Sequence, residues 1–441
     1  MTPFTRAIGT GTFTAVAVTL GIAVLSSNAH AQLNIGPIGS LQSIGRTELS
    51  SVTNLVPGTT FGGTTVGGLS GLTYDRANNR FFALSDDAGS ETRGAARFYG
   101  LNINLSDDAL GDGDVTFTSV TTLKQLGGDN FPTTAPFTID PEGIALAPDG
   151  NSLYVSSEGF RGANTQNPFI RRYDLSGKET DTGQINLPAR YNTIGAAADQ
   201  GPDNNLVFES LAFNASGTRL YTATEGGLRQ DGGPATFTTP ANSPRANSRI
   251  IAFDPTTGNR TAEYLYRTDT IVRQPNAGTF ATAGLVDILF TSDTTFLALE
   301  RSLTTSPNTP SQTNEVRIFQ GTLTGAQDIS GIDTLGGGVA ETIVGVQKTL
   351  LFDFNAALFD GAQIRIDNLE ALSFGPQLSD GSFSLIVASD DNFSANSPQK
   401  NQFFAFRVVI VPEAGTLPLM VGAGCSLLGV AIARRRKGAN E

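Results

Sequence analysis

Through most of the chain, apolar positions come in short runs of Val, Thr, Phe and Leu, separated by clusters of Gly, Asn, Asp and Pro. This is the pattern of β-strands joined by turns. Long Ala/Glu/Lys/Leu stretches with helical spacing are absent. The runs also repeat. Glu142-Gly143-Ile144-Ala145 is followed by a turn at Asp149-Gly150-Asn151 and then by Leu153–Glu158. Glu209-Ser210-Leu211-Ala212, a turn at Ser216-Gly217 and Leu220–Glu225 form a second copy. Ser70–Thr73 with Phe82–Asp86 is a third. First and last residues are 16 positions apart in all three copies. Looser copies run from Asp287 to Glu300 and from Glu370 to Asp391.

Each copy reads as a β-hairpin, and further strand-like segments follow it, giving about four strands per unit. Four-stranded units repeated in series make a β-propeller. The fold class expected is therefore all-β, a five-bladed β-propeller. Six blades are the alternative, because residues 302–366 are long enough to contain another. The last unit lacks one strand, which Gly45–Val52 can supply to close the ring. On this reading residues 32–65 are a closing N-terminal segment and residues 66–411 are the propeller domain.

Composition narrows the chemistry. The 441 residues include one His (His30), one Cys (Cys425) and no Trp. His30 and Cys425 fall in terminal segments outside the expected domain. The domain therefore has no Ser-His-Asp triad, no Cys-His nucleophile and no His/Cys zinc site. Chemistry is left to carboxylates, Lys, Arg, Tyr, hydroxyls, backbone and hard cations.

The two ends read as addresses. Arg6, an apolar stretch from Phe13 to Leu25 and the small-x-small triplet Ala29-His30-Ala31 predict a signal peptide over residues 1–31. At the other end, Val411–Thr416 precedes an apolar run and the basic cluster Arg434-Arg435-Arg436-Lys437. Residues 417–433 are just long enough for a transmembrane helix. Residues 412–437 resemble the PEP-CTERM sorting signal, with Ala414 where that signal usually has Pro. The resemblance implies an exported protein of the cell envelope or extracellular space. It would be held in the membrane by the C-terminal helix until exosortase-type machinery acts on it. Setting aside the charges of both ends leaves 24 of 29 basic and 39 of 41 acidic residues, a net charge of about −15. Nucleic acid is excluded as a partner, since it needs a basic footprint.

In an antiparallel hairpin the start of one strand lies beside the end of the next. The repeat therefore gathers acids at one end of every blade. The candidate metal ligands are Asp86, Asp87, Glu142, Glu158, Glu209, Glu225, Asp287, Glu300, Glu370, Asp390 and Asp391, with Asp140 just before Glu142. Such crowding needs protons or cations. Ca²⁺, which takes oxygen ligands in flexible geometry, is the expected cofactor. The competing reading is that these acids accept backbone N–H bonds and tie blades together. Arg301, next to Glu300, either holds an anionic substrate or neutralises a carboxylate.

At these motifs the chain resembles the phytase-like family, described as having esterase-like activity. The matching residues are Gly68–Asp75, Leu84–Asp87, Asp140–Ala145, Ser157-Glu158, Glu209–Ala212, Leu299–Arg301, Asn368–Leu372 and Ser389–Phe393 with Gln402-Phe403. The resemblance covers residues 66–409 and implies a propeller and a hydrolase of esters. The function expected is a Ca²⁺-dependent hydrolase of small-molecule phosphoesters or other esters, with Glu142, Glu209 and Arg301 in the catalytic work. The alternative is a non-catalytic, Ca²⁺-stabilised propeller that binds a partner in the cell envelope or matrix.

Overall fold

A computed structural model of the protein describes residues 33–49, 60–162, 165–237, 245–271, 281–306, 309–393 and 399–411. The predicted leader (1–31) and sorting signal (412–437) lie outside the described residues. Among the described residues, no helix is long and apolar enough to cross a membrane.

Strand β1 (Ile38–Glu48) comes first, followed by a small hairpin of β2 (Thr60–Phe61) and β3 (Thr64–Thr65). Blade 1 is β4 (Leu69–Asp75), β5 (Arg80–Ser85), β6 (Arg97–Ile103) and β7 (Val115–Thr122). Blade 2 is β8 (Pro141–Leu146), β9 (Ser152–Ser157) and β10 (Phe169–Asp174). Blade 3 contains β11 (Ala212–Phe213) and β12 (Leu220–Ala223). After β13 (Ala235–Phe237), blade 3 is completed by β14 (Asn247–Phe253) and β15 (Arg260–Arg267). Blade 4 is β16 (Ala281–Phe290), β17 (Thr295–Ser306), β18 (Thr309–Thr322) and β19 (Gln347–Asp353), with β13 added beside β16. Blade 5 is β20 (Asn368–Gln377), β21 (Phe383–Asp390) and β22 (Gln402–Ile410), completed by β1.

The architecture is thus an all-β, five-bladed propeller. The length of residues 302–366 is taken up by the long β17–β18 hairpin, edge strand β19 and an irregular stretch between β18 and β19, not by a sixth blade. The closing strand expected at 45–52 is β1, which starts earlier and pairs antiparallel with β22 from Ile38↔Ile410 to Glu48↔Gln402. The fourth strand expected in blade 2 near 184–187 does not form a ladder. Ile185 N donates to Ile170 O, but no strand follows.

Alternation along each strand sends successive side chains into different inter-blade layers. Phe81 packs towards blade 5 and its neighbour Phe82 towards blade 2. The same division repeats around the ring, with separate apolar layers between blades 2 and 3, 3 and 4, and 4 and 5. Five layers for five blades is the packing signature of a closed ring. Down the axis, the equivalent residues Leu72, Ile144, Leu211, Ile288 and Leu372 converge, one from each blade, with Leu33 among them. This apolar collar narrows one end of the channel.

Candidate active site

The inner strand of a blade carries a register shift at its channel end. The shifts fall between Leu69 and Gly71, Pro141 and Ile144, Leu285 and Asp287, and Leu369 and Ala371. In blade 3 the bridge Phe208↔Thr224 and the pair Ala212↔Tyr221 set the same offset. A bulge re-aims the residue it contains. The bulge residues are Ser70, Glu142, Glu209, Val286 and Glu370. The register also aligns Asp86, Glu158, Glu225, Arg301 and Asp390, each on the second strand of its blade or one or two residues past it. Each blade thus offers two positions to the channel. Blades 1, 2, 3 and 5 place at least one acid there, and blade 4 places none.

These positions surround a cavity of about 420 Å³ lined by Asp86, Glu142, Glu158, Glu209, Glu225, Glu370 and Asp390, with Arg301 as the one basic residue in its lining. Arg301 is held between blades. Its Nη2 donates to Glu225 Oε1 at 3.1 Å, and its Nη1 lies 3.1 Å from Glu370 Oε1 and also donates to Asn368 Oδ1. Asn368 Nδ2 donates onward to Glu370 Oε1 at 2.9 Å and to Asp390 Oδ2 at 3.3 Å. On the other wall, carboxylate oxygens of Asp140, Glu142 and Glu158 lie within 4.8 Å of one another. Glu158 Oε1 accepts from the Val207 N–H.

Electrostatics follow from that crowding. Burial, then the charges of Glu209, Asp86 and Glu158, pushes the Glu142 carboxyl well above its ordinary range. Burial followed by Glu158, Glu225 and Glu370 does the same to Glu209. Asp86, Glu158 and Asp390 are raised by burial first and by neighbouring acids second. Burial carries Asp140 to about 7. Burial also carries Glu370 to about 7, although Arg301 pulls against it. Glu225 is raised less freely, because Arg301 opposes its burial. Burial disfavours the Arg301 charge, but Glu370, Glu225 and Glu209 outweigh it and keep the guanidinium protonated.

Four of the expected ligands are placed elsewhere. Asp87 is clasped by Arg93 at 2.9 Å and by buried Arg97 at 3.0 Å. Burial pushes its carboxyl up, yet these two arginines hold it below the usual range. Asp287 accepts the backbone N–H of Ile288 at 2.8 Å and of Leu372 at 2.6 Å, tying blade 4 to blade 5. Glu300 faces the blade 3 side, accepting from Tyr266 Oη at 2.6 Å, from Asp269 N at 2.7 Å and from Lys348. Asp391 accepts from Gly68 N, Phe393 N and Asn401 Nδ2 at 3.0–3.1 Å. Asp287 and Asp391 accept backbone N–H groups across a blade boundary and Glu300 bonds towards blade 3, whereas Asp87 is held within blade 1. Conversely, Asn368 contributes a cavity amide that the acid-centred reading passes over. Its signal is the Asn-x-Glu spacing to Glu370.

The profile of the phytase-like family, described as esterase-like activity of phytase, matches residues 64–393. The chain belongs to the phytase-like family. No curated protein matches this family member significantly. Among solved structures it is similar to an endo-arabinase from Bacteroides thetaiotaomicron, at 10% identity and TM-score 0.39, covering 78% of this chain and 93% of that one. It is also similar to an α-L-arabinofuranosidase from Lactobacillus brevis, at 10% identity and TM-score 0.36, covering 76% and 89%. A Bacillus subtilis arabinanase matches at 14% identity and TM-score 0.34, covering 76% and 92%. Likeness this distant says nothing of the chemistry in the phytase-like channel.

Proposed function

We propose that this phytase-like protein is an exported hydrolase that cleaves small phosphoesters or other esters in its acidic cavity, with a divalent cation, Ca²⁺, as cofactor. The observation that carries the reading is the convergence of seven carboxylates on one cavity with a single arginine among them. The donor set is all oxygen, as a hard cation requires. The 4.8 Å spread of the Asp140, Glu142 and Glu158 oxygens suits ligation at about 2.3–2.6 Å each. Asp86, Glu158, Glu209, Glu370 and Asp390 line the same cavity within reach of that charge.

A bound cation would offset the carboxylate charge and polarise an ester or phosphoryl oxygen. The chain's own residues do the rest. Glu209, whose carboxyl burial and neighbouring acids push well above the usual range, is suited to give a proton to a leaving oxygen or to take one from water, and Glu142, in the cation cluster, would orient that water. Arg301 offers its guanidinium to an anionic group of the substrate. The apolar collar leaves the acidic end as the way in. Export follows the leader and sorting-signal reading, with the membrane and an exosortase as transient partners. An intact mass of the secreted protein tests it, since cleavage after Ala31 leaves Gln32 first.

The test of function is release of phosphate from phytate and of alcohol from a panel of simple phosphate and carboxylic esters, in Ca²⁺ and in chelator. Release is expected in Ca²⁺ only, and Glu142→Gln is expected to lower it by about 10²-fold or more. Calcium-dependent stabilisation with no release from any ester would replace the hydrolase by the binding module.

A further inference from the structure

The acids of the cavity are not equivalent, and the difference divides it. In a ring of five, blade 4 has blades 3 and 5 as neighbours and faces blades 1 and 2. Arg301 reaches sideways to both neighbours, bonding Glu225 of blade 3 and Glu370 of blade 5. Asp390 of blade 5 accepts from Asn368 Nδ2 through one oxygen and from Asn392 N through the other, at 2.7 Å. Glu225, Glu370 and Asp390 thus all have donors, while Glu209, between the two walls, has only Glu158 as a side-chain partner.

On the opposite wall only Glu158 has a donor, the Val207 N–H. Among the described residues, no N–H or O–H donates to the side chains of Asp140 or Glu142. Asp86 Oδ1 is sealed from solvent and has no hydrogen-bond partner. Buried acceptors are rarely left unmade, because desolvating them without a partner costs free energy. The charge of Asp86 acts on Glu370 and Asp390 of blade 5 as well as on Asp140 and Glu142, so it stands between the two walls. An orphaned buried oxygen lining the same cavity as the donor-poor Asp140–Glu142–Glu158 cluster is what remains when a ligand belongs there.

We infer that the cavity holds one divalent cation, on the wall of blades 1 and 2 at Asp86, Asp140, Glu142 and Glu158, and that Arg301 occupies the place of a second on the wall of blades 3 to 5. The inference rests on the cation-dependent reading above only for the choice of ligand. It also narrows the substrate class: with one cation and one arginine across the cavity, the fitting substrate presents a single phosphate or carboxylate group to the site, so simple monoesters should be cleaved in preference to phytate.

Calcium titration of the cation-free full chain, followed by calorimetry, tests it. One site per chain is expected. Asp140→Asn should weaken that site by about 10-fold or more, since affinity follows ligand charge, while Glu370→Gln should leave it nearly unchanged. Arg301→Gln frees Glu225 and Glu370 and should raise the stoichiometry from one to two. Thermal melts of each variant confirm folding, and Glu158→Gln replaces Asp140→Asn if the latter does not fold. Absence of any site, two or more sites in the parent chain, or equal losses from Asp140→Asn and Glu370→Gln would overturn the inference, whatever the turnover. A single site with no ester release would sink the hydrolase and leave the divided cavity standing.

Discussion

Arg249 and the cavity acids illustrate two ways of keeping charge inside a protein. Arg249 is fully buried, with Nε 2.7 Å from Asp231 Oδ2 and Nη1 3.0 Å from Glu263 Oε2. It also donates to Ile332 O, fastening the irregular stretch between β18 and β19 to blade 3. Removing one partner of a buried set strands the others, so Arg249→Met should cost about 3–5 kcal/mol in a urea unfolding experiment. Asp140 and Glu370 carry no such complete compensation, and both sit near 7 in the folded state, against ordinary values of 3.8 and 4.5. The folded protein then binds their protons more tightly than the unfolded chain. Stability from this source is full below the unfolded values and is lost as pH rises through about 7. In chelator the melting temperature should fall between about pH 4 and pH 7 and level off above. Added Ca²⁺ should restore it most at the higher pH, because it binds the ionised carboxylates. A flat profile in chelator would contradict the crowding.

At the scale of the strand, the bulge decides what a residue does. Three hairpins with matching 16-residue spacing made the blades and most of the cavity acids readable from sequence, because spacing fixes which strand ends meet. Blade 4 defeated that reading. Aligning Glu300 with Asp390 is off by one: the pairs Leu285↔Glu300 and Leu369↔Ser389 make Glu300 the counterpart of Ser389. With a side-chain period of 2, one step moves a residue to the other face. Glu300 therefore meets Tyr266, and Arg301 faces the cavity. Asp87 and Asp391 misled for a related reason, since each directly follows a cavity acid in sequence and so points away from it. The arginines that claim Asp87 come from later in blade 1 and leave no spacing signal. The collar below the bulges has no such ambiguity, because all five positions are apolar. Leu372→Ala there should cost about 2–5 kcal/mol, read as a lowered unfolding midpoint.

For the molecule as a whole, closure depends on one join. At Gly45 the backbone of β1 touches the loop after β6, bridging Leu110, whose N–H donates to Ile44 O at 2.9 Å. A Cβ at Gly45 would lie 2.2 Å from Leu110 O, on a backbone with φ +128°. Gly45→Ala should therefore destabilise the whole ring by more than about 1 kcal/mol, measured as a fall in the denaturant midpoint with the slope retained. The join also has a temporal side. Its partners, β1 and β22, are the first long strand and the last of the described chain. Contacts between such distant segments form late, after the entropy of bringing them together has been met. A growing chain can assemble blades 1 to 4 as each hairpin emerges, but blade 5 has to wait for Gln402–Ile410. Until then the polypeptide is an open arc with an unpaired first strand, and the cavity, which needs Glu370 and Asp390, does not yet exist.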